Sequence, residues 1–117
     1  MKFATKLRLA MRAKAAQLDK KSIGAQYLSK ETKGKLGAIH ISELVDARVD
    51  PTIEDIELLS KALNVPMGWL AGKNNTPPIQ IISFCKNLGL LPASFKGELT
   101  DDMLSHMMEL LQHKENQ

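Results

Sequence analysis

The stretch from Ile41 to Asn64, ISELVDARVDPTIEDIELLSKALN, limits the folds open to this chain more than any other. It holds two amphipathic runs with the apolar spacing of helices, separated by a short turn around Pro51. A proline ring biases the residue before it, here Asp50, away from helical backbone angles, so we expect the first helix to end before this point. Two short helices joined this tightly cannot form a domain alone. The stretch therefore predicts further helices on which the pair packs.

Helical periodicity on both sides of this stretch predicts an all-α protein. Aromatic residues make up only 4% of the chain, which disfavours a β-sandwich or barrel, because those folds draw on aromatic and β-branched side chains. Apolar spacing, with Ser22, Thr52 and Thr100 as N-caps, predicts helices at about residues 2–18, 22–31, 38–47, 53–63 and 66–71 and two helical segments after residue 78. In the first helix, the cationic side chains fall largely on the face opposite the apolar one: Lys6, Arg8, Arg12 and Lys14.

Composition divides the chain into three parts. Residues 1–72 hold the five predicted helices, and residues 79–117 hold the two later helical segments. Between them, residues 73–78 read KNNTPP, a polar run ending in two prolines, which is typical of a linker.

The Met- and Leu-rich segment near the C-terminus is apolar over more than one helical stripe, so it needs burial on more than one side. One interpretation is an intramolecular hairpin with residues such as Ile81, Ile82 and Leu88. The interpretation we favour is a homodimer interface. Its predicted dimerisation residues are Met103, Leu104, Met107, Met108, Leu110 and Leu111.

Positive charge is concentrated in the first part of the chain. Residues 1–50 hold 11 Lys and Arg against 5 Asp and Glu, a net charge of +6, whereas residues 51–117 hold 5 against 8, a net charge of −3. This asymmetry favours an N-terminal region that faces a polyanion.

Motifs for catalysis or metal binding are absent from the sequence. The three histidines, His40, His106 and His113, have no cysteine or acid at metal-ligand spacing. Cys85 lies in an apolar run, which is typical of a small buried side chain. No nucleophile–base set or phosphate-binding loop stands out. We therefore expect neither an enzyme nor a bound cofactor or metal.

Location is predicted from three further features of the sequence. No apolar run approaches the roughly 18 residues that a membrane span requires, and the N-terminal stretch MKFATKLRLAMRAKAAQ lacks the apolar core of a secretory signal. A single cysteine suits a reducing compartment. We expect a cytoplasmic protein with no membrane partner.

Two stretches resemble the lambda-repressor-like (Cro/repressor type) helix-turn-helix family. The run ISELVDARVDPTIEDIELLSKALNVPMGWLAG is similar to the family's segment from the second half of the recognition helix through helix 5, with an Ile-Ser pair, a basic turn, a Pro-Thr cap and a KALNV ending in that order. The run FATKLRLAMRAKA is similar to the family's first helix. The resemblance covers about residues 3–72. The segment from helix 1 to the recognition helix is several residues longer than usual, and residues 79–117 have no counterpart.

This resemblance implies that the helix beginning at Ala38 lies in the major groove of double-stranded DNA, with Ile41 and Leu44 against helices 2 and 4. The residues that it places at the DNA are Lys30, Lys33, Lys35, Ala38, Ile39, His40, Ser42, Glu43 and Arg48. Ile39 would meet a thymine methyl group, and Glu43 would accept from a cytosine amino group. For Ile39 and His40, packing in the core or at its rim is an equal alternative to base contact. Arg, Lys, Asn and Gln, the bidentate base readers, are missing between Ala38 and Val45.

The function implied is a dimeric, sequence-specific DNA-binding transcriptional regulator, a repressor of a bacterial or phage system associated with the nucleoid. The alternative is a protein-interaction module, an antitoxin or antirepressor that keeps the helix-turn-helix fold without base readout and holds a protein partner with its C-terminal helices. The absence of strong base readers on the recognition helix favours this alternative.

Overall fold

Helices make up the regular secondary structure of the chain, as seen in a computed structural model that describes residues 2–115. In that range they are α1 (Lys2–Gln17), α2 (Ala25–Glu31), α3 (Ala38–Val45), α4 (Ile53–Leu63), α5 (Met67–Leu70), α6 (Ile79–Asn87) and α7 (Asp101–Glu115). The all-α prediction is confirmed. Residue 1 and residues 116–117, the outer ends of the predicted N- and C-terminal regions, lie outside the described range. Within that range, no helix has both the length and the apolar character that crossing a membrane requires.

Helix α1 is the centre of the fold, because α3, α4, α5, α6 and α7 all pack against it. Its sequence suits this position, since small alanines let neighbouring helices approach on several sides. The buried members of α1 are Phe3, Ala4, Lys6, Leu7, Leu9, Ala10, Ala13 and Ala15. The expectation that Lys6 lies on a polar face is therefore wrong. Its side chain is completely buried because α5 and the segment after it cover that face, where the Lys6 ammonium donates to the carbonyl oxygen of Trp69 at 3.0 Å.

The second helix begins later than predicted. Ser22 is exposed and lies in the loop, and the N-cap of α2 is Gly24, which makes no side-chain capping bond. Six residues, Thr32 to Gly37, join α2 to α3, which pack closely on each other. This turn is fixed by hydrogen bonds: the Ser29 hydroxyl donates to the carbonyl oxygen of Leu36 at 2.7 Å. Gly34 has a φ of 78°, a left-handed conformation that favours glycine.

Capping explains why α4 and α7 begin where the sequence predicts. The Thr52 side chain accepts from the backbone N–H of Asp55 at 3.0 Å, and the Asp55 carboxylate accepts from the backbone N–H of Thr52 at 2.9 Å, which completes a capping box. At α7, the Thr100 hydroxyl oxygen accepts from the backbone N–H of Met103. Helix α4 ends at Asn64, which takes a left-handed conformation with a φ of 57°.

The segment predicted as a linker is bound to the body of the protein. The carbonyl oxygen of Asn74 accepts from the Lys6 ammonium at 3.1 Å, and that of Asn75 accepts from the backbone N–H of Leu99 at 2.8 Å. Pro77 is buried. The buried apolar side chains on both sides of this segment form one cluster, from Phe3 in α1 to Leu111 in α7. Residues 79–115 therefore share a core with the helices before them.

Candidate functional site

Helix α3 has one face in the core and the other in solvent. Ile41 and Leu44 are completely buried, whereas Ile39 is 81% exposed. Ser42 is also exposed, and Glu43 is half-buried. Helices α1 and α2 pack behind α3 and hold its outer face away from the body. The outer face of α3 is defined here by Ala38, Ile39, Ser42 and Glu43.

Four exposed cationic side chains come just before or just after this helix along the chain: Lys30, Lys33, Lys35 and Arg48. Lys30 and Lys33 line a shallow depression that Ala38, the first residue of α3, also lines. Lys33 and Lys35 belong to the α2–α3 turn, whose backbone is held by the side chain of Thr32. Arg48 follows α3, and its backbone N–H donates to the carbonyl oxygen of Glu43 at 2.9 Å. The outer face thus has cations before and after it on a backbone fixed by hydrogen bonds.

Gln26, near the start of α2, belongs to the same surface and was not predicted. It is exposed and lines a second depression together with Tyr27, Ala38, Ile39 and Ser42. Glutamine is one of the side chains that read adenine through two hydrogen bonds, the chemistry that α3 itself lacks. The sequence signal was a glutamine next to the true helix start. With Ser22 as the N-cap, Gln26 falls in the middle of a longer predicted helix.

His40 does not share the outer face of α3 as a free base reader. Its Nε2 lies 3.0 Å from Oδ2 of Asp55, the buried carboxylate that also caps α4. Burial alone raises the pKa of Asp55, but hydrogen bonds from Thr52 and His40 outweigh it and hold this pKa below its ordinary value. Of the two alternatives for His40, the structure therefore favours the rim of the core, where the ring connects α3 to the start of α4.

The six residues predicted to pair two protomers separate into two groups. Leu104, Met107 and Leu111 are buried within the chain because α7 packs on α1. These three side chains are therefore part of the chain's own core and are not accessible to a second copy. Met103 and Met108 are half-buried, and Leu110 is 38% exposed. The surface of α7 that remains accessible to a second copy is centred on Leu110.

Two findings concern metal ligands and the single cysteine in the described part of the chain. In that range, no group of three or more His, Cys, Asp or Glu is placed to hold a metal ion. Cys85 is buried, and its burial raises the thiol pKa to about 11. A thiol with this pKa is protonated near neutral pH and is a poor nucleophile.

No family model, curated protein or solved structure matches this chain. The resemblance to the lambda-repressor-like family therefore stays a prediction from the residues quoted above.

Proposed function

We propose that this protein is a DNA-binding transcriptional regulator that uses α2, the α2–α3 turn and α3 as a helix-turn-helix, with α3 as the recognition helix. The observation that supports this most directly is the outer face of α3. It presents Ile39, 81% exposed, between cationic side chains, while Ile41 and Leu44 fix the opposite face in the core. A helix held outward with flanking cations can enter the major groove while the cations meet phosphates.

Each group on this surface has a chemically distinct role in the proposal. The cations Lys30, Lys33, Lys35 and Arg48 neutralise phosphates, which gives affinity but little sequence preference. Ile39 contacts the methyl group of thymine, and Gln26 reads adenine. Glu43 accepts from the amino group of cytosine. His40 has no part in base readout, because its ring is bound to Asp55.

Pairing of two copies is the second part of the proposal. Helix-turn-helix proteins read paired half-sites about 10 base pairs apart, with a two-fold axis between them. The exposed part of α7 around Leu110 would form the contact. Replacing Leu110 with Glu should shift sedimentation from dimer to monomer while the circular dichroism of the folded chain stays unchanged, because this side chain is partly exposed. A dimer that survives L110E places the pairing surface elsewhere.

Salt dependence of duplex binding tests the phosphate contacts. The logarithm of the binding constant falls with the logarithm of salt concentration with a slope of about 0.9 for each phosphate neutralised. The triple variant K33A/K35A/R48A removes three proposed phosphate contacts per protomer. The slope should therefore fall by about 0.9 for each of them. The matched control is K96A, an exposed lysine in the loop before α7, which should leave the slope unchanged. Equal slopes for the triple variant and the wild type would contradict the proposal.

Base readout is tested separately, by selecting bound sites from a library of random duplexes. We expect I39A to relax a preference for thymine and Q26A to relax a preference for adenine, each at one position of the half-site. Each change should cost a factor of about ten or more at its own position and little elsewhere.

The protein-interaction alternative is favoured by one observation. The outer face of α3 has no Arg, Lys, Asn or Gln, and its largest side chain, Ile39, is apolar and exposed. An apolar side chain of this kind also suits a protein partner. Absence of any duplex affinity at low salt, with a folded protein, would favour this alternative.

A further inference from the structure

The hydrogen bond between His40 and Asp55 joins α3, the proposed recognition helix, to the start of α4. His40 follows Ile39 in the first turn of α3, and its side chain is 39% exposed, whereas that of Asp55 is 6% exposed. In the described residues, α3 packs against α1 and α2, and α4 packs against α1, α2 and α5. The bond, at 3.0 Å between Nε2 and Oδ2, adds a direct link between α3 and α4.

Asp55 determines which partner donates in this bond. Burial raises the pKa of the Asp55 carboxyl, but hydrogen bonds from Thr52 and His40 outweigh burial and keep this pKa below its ordinary value. The carboxylate is therefore ionised near neutral pH and can only accept. Its Oδ2 already accepts from the backbone N–H of Thr52 at 2.9 Å. His40 must then donate, which requires the ring proton on Nε2.

Apolar burial alone does not fix the rotation of α3 about its own axis. Ile41 and Leu44 are completely buried, and they determine which face points inward, but the hydrophobic effect is non-directional. The helix has only eight residues, and its N-cap, Gly37, makes no side-chain capping bond. A hydrogen bond is directional, and the capping box of α4 holds Asp55 in place. The bond to His40 therefore restrains the rotation that burial leaves open.

A small rotation of α3 is enough to change what its outer face contacts. Side-chain tips lie about 5–6 Å from a helix axis, so a rotation of about 10° moves them by about 1 Å. This is twice the roughly 0.5 Å within which a binding contact must be held. Ile39 and Glu43 would move with α3, whereas Gln26 belongs to α2. Lys33 and Lys35 belong to the α2–α3 turn, and their long, flexible side chains tolerate such a shift.

We propose that His40 is a positioning residue for base readout: its bond to Asp55 fixes the rotation of α3 so that Ile39 meets the methyl group of one thymine. This inference rests on the proposed function. His40 itself contacts no base and acts through Ile39. Loss of the bond should relax the thymine preference of α3 while the phosphate contacts and the adenine preference of Gln26 stay unchanged.

Removal of one methyl group from the DNA tests this directly. The thymine at which I39A relaxes the selected site is replaced by deoxyuridine, which lacks only that methyl group, and affinities are measured by fluorescence anisotropy. The wild type should lose affinity about fourfold, the worth of one buried methyl group, and H40L should lose less than about twofold. The salt slope and the adenine preference should be the same in both proteins.

Two variants separate the hydrogen bond from the general stability of α4. In H40Q, the side-chain amide can supply an N–H in place of Nε2, so the loss of about fourfold should return. In T52A, α4 loses the hydroxyl that accepts from the backbone N–H of Asp55 at 3.0 Å, but the pair of His40 and Asp55 stays intact. T52A should therefore discriminate thymine from deoxyuridine as the wild type does.

Three results would overturn the proposal: an H40L protein that discriminates as the wild type does, an H40Q protein that behaves like H40L, or a T52A protein that loses discrimination to the same extent. A fourth test needs no variant, because nitrogen-15 NMR of the wild-type ring should show the proton of neutral His40 on Nε2, and a proton on Nδ1 instead would overturn the proposal. A folded wild type that selects no DNA sequence would refute the proposed function and this inference with it, whereas the results above refute the inference alone.

Discussion

Replacing Lys6 with Met removes one buried charge and keeps the volume of the side chain nearly unchanged. In the wild-type chain, the Lys6 ammonium donates to the carbonyl oxygens of Trp69 at 3.0 Å and Asn74 at 3.1 Å, and it lies 5.3 Å from the centre of the Trp69 ring. These contacts hold the first helix to α5 and to the segment before α6. The substitution asks whether the contacts outweigh the cost of burying the charge.

The stability lost in K6M is the difference between the contacts that the ammonium makes and the cost of burying its charge. Each hydrogen bond to a charged donor is worth about 1.5–3 kcal/mol, and the cation–π contact adds about 1 kcal/mol. Against this, desolvating the ammonium costs several kcal/mol. The carbonyl oxygen of Trp69 keeps the backbone N–H of Gly72 as a partner, and Asn74 is exposed, so neither acceptor is left buried without a partner. We expect K6M to lose about 2 kcal/mol, which lowers the melting temperature by about 8 °C for a chain of this size.

Thermal and urea unfolding, followed by circular dichroism at 222 nm, measure this loss. The matched control is Lys61→Met on α4, where the lysine side chain is 74% exposed and pairs with Glu57 at 3.3 Å. Its melting temperature should change by less than about 2 °C. If K6M is as stable as the wild type, desolvation equals or exceeds the contacts, and the reasoning is refuted.

Three further predictions concern the cap, the thiol and the C-terminal region. The folded-state pKa of Asp55 lies below its ordinary value, so the ionised carboxylate stabilises the fold above the ordinary carboxyl range, and this stabilisation is lost as pH falls through the folded pKa. The free energy of unfolding in urea should therefore change less between pH 7 and pH 3 in D55N than in the wild type. Cys85, with a pKa of about 11, should react with iodoacetamide at pH 8 about a hundredfold more slowly in the folded chain than in urea, and equal rates would show that the thiol is accessible. A chain ending at Gly72 loses about 10 kcal/mol of apolar burial, which is comparable to the stability of a whole domain. The side chains lost from the core are Ile81, Cys85, Leu91, Leu99, Leu104, Met107 and Leu111. The truncated chain should therefore melt without a cooperative transition, and a cooperative one would show that residues 1–72 fold alone.

Local signals predicted the parts of the fold that local chemistry determines. The start of α4 follows from Thr52 and Asp55, which complete a capping box within four residues, and its end follows from Asn64, a residue that tolerates left-handed backbone angles. The alternation of Ile39 and Ile41 between solvent and core likewise follows from helical periodicity. These features need no knowledge of distant neighbours.

The surroundings of α1 could not be predicted in the same way. Periodicity identifies one apolar stripe, but a helix in contact with five others buries more of its surface than that stripe. The burial of Lys6 depends on residues 63 and 68 positions away, and the pairing of His40 with Asp55 joins two helices. Gln26 reaches the candidate surface only because α2 begins at Ala25 and packs beside α3. Each of these outcomes comes from tertiary packing that overrides a local expectation.

The few base-reading side chains around the outer face of α3 limit how strongly one protomer can distinguish DNA sequences, which is why the proposal includes two copies. Under the proposed function, the exposed base-reading side chains of one protomer are Gln26, worth about 1–3 kcal/mol as a bidentate reader, and Ile39, worth about 1–2 kcal/mol against a thymine methyl. Their sum, about 2–5 kcal/mol, only reaches the low end of the roughly 4–10 kcal/mol that separates specific from non-specific DNA binding. Two protomers double that sum to about 4–10 kcal/mol, which matches this range. Under the proposed function, a dimer would therefore supply the discrimination that regulating particular genes needs, whereas a monomer would bind DNA mainly through its cations, with little sequence preference.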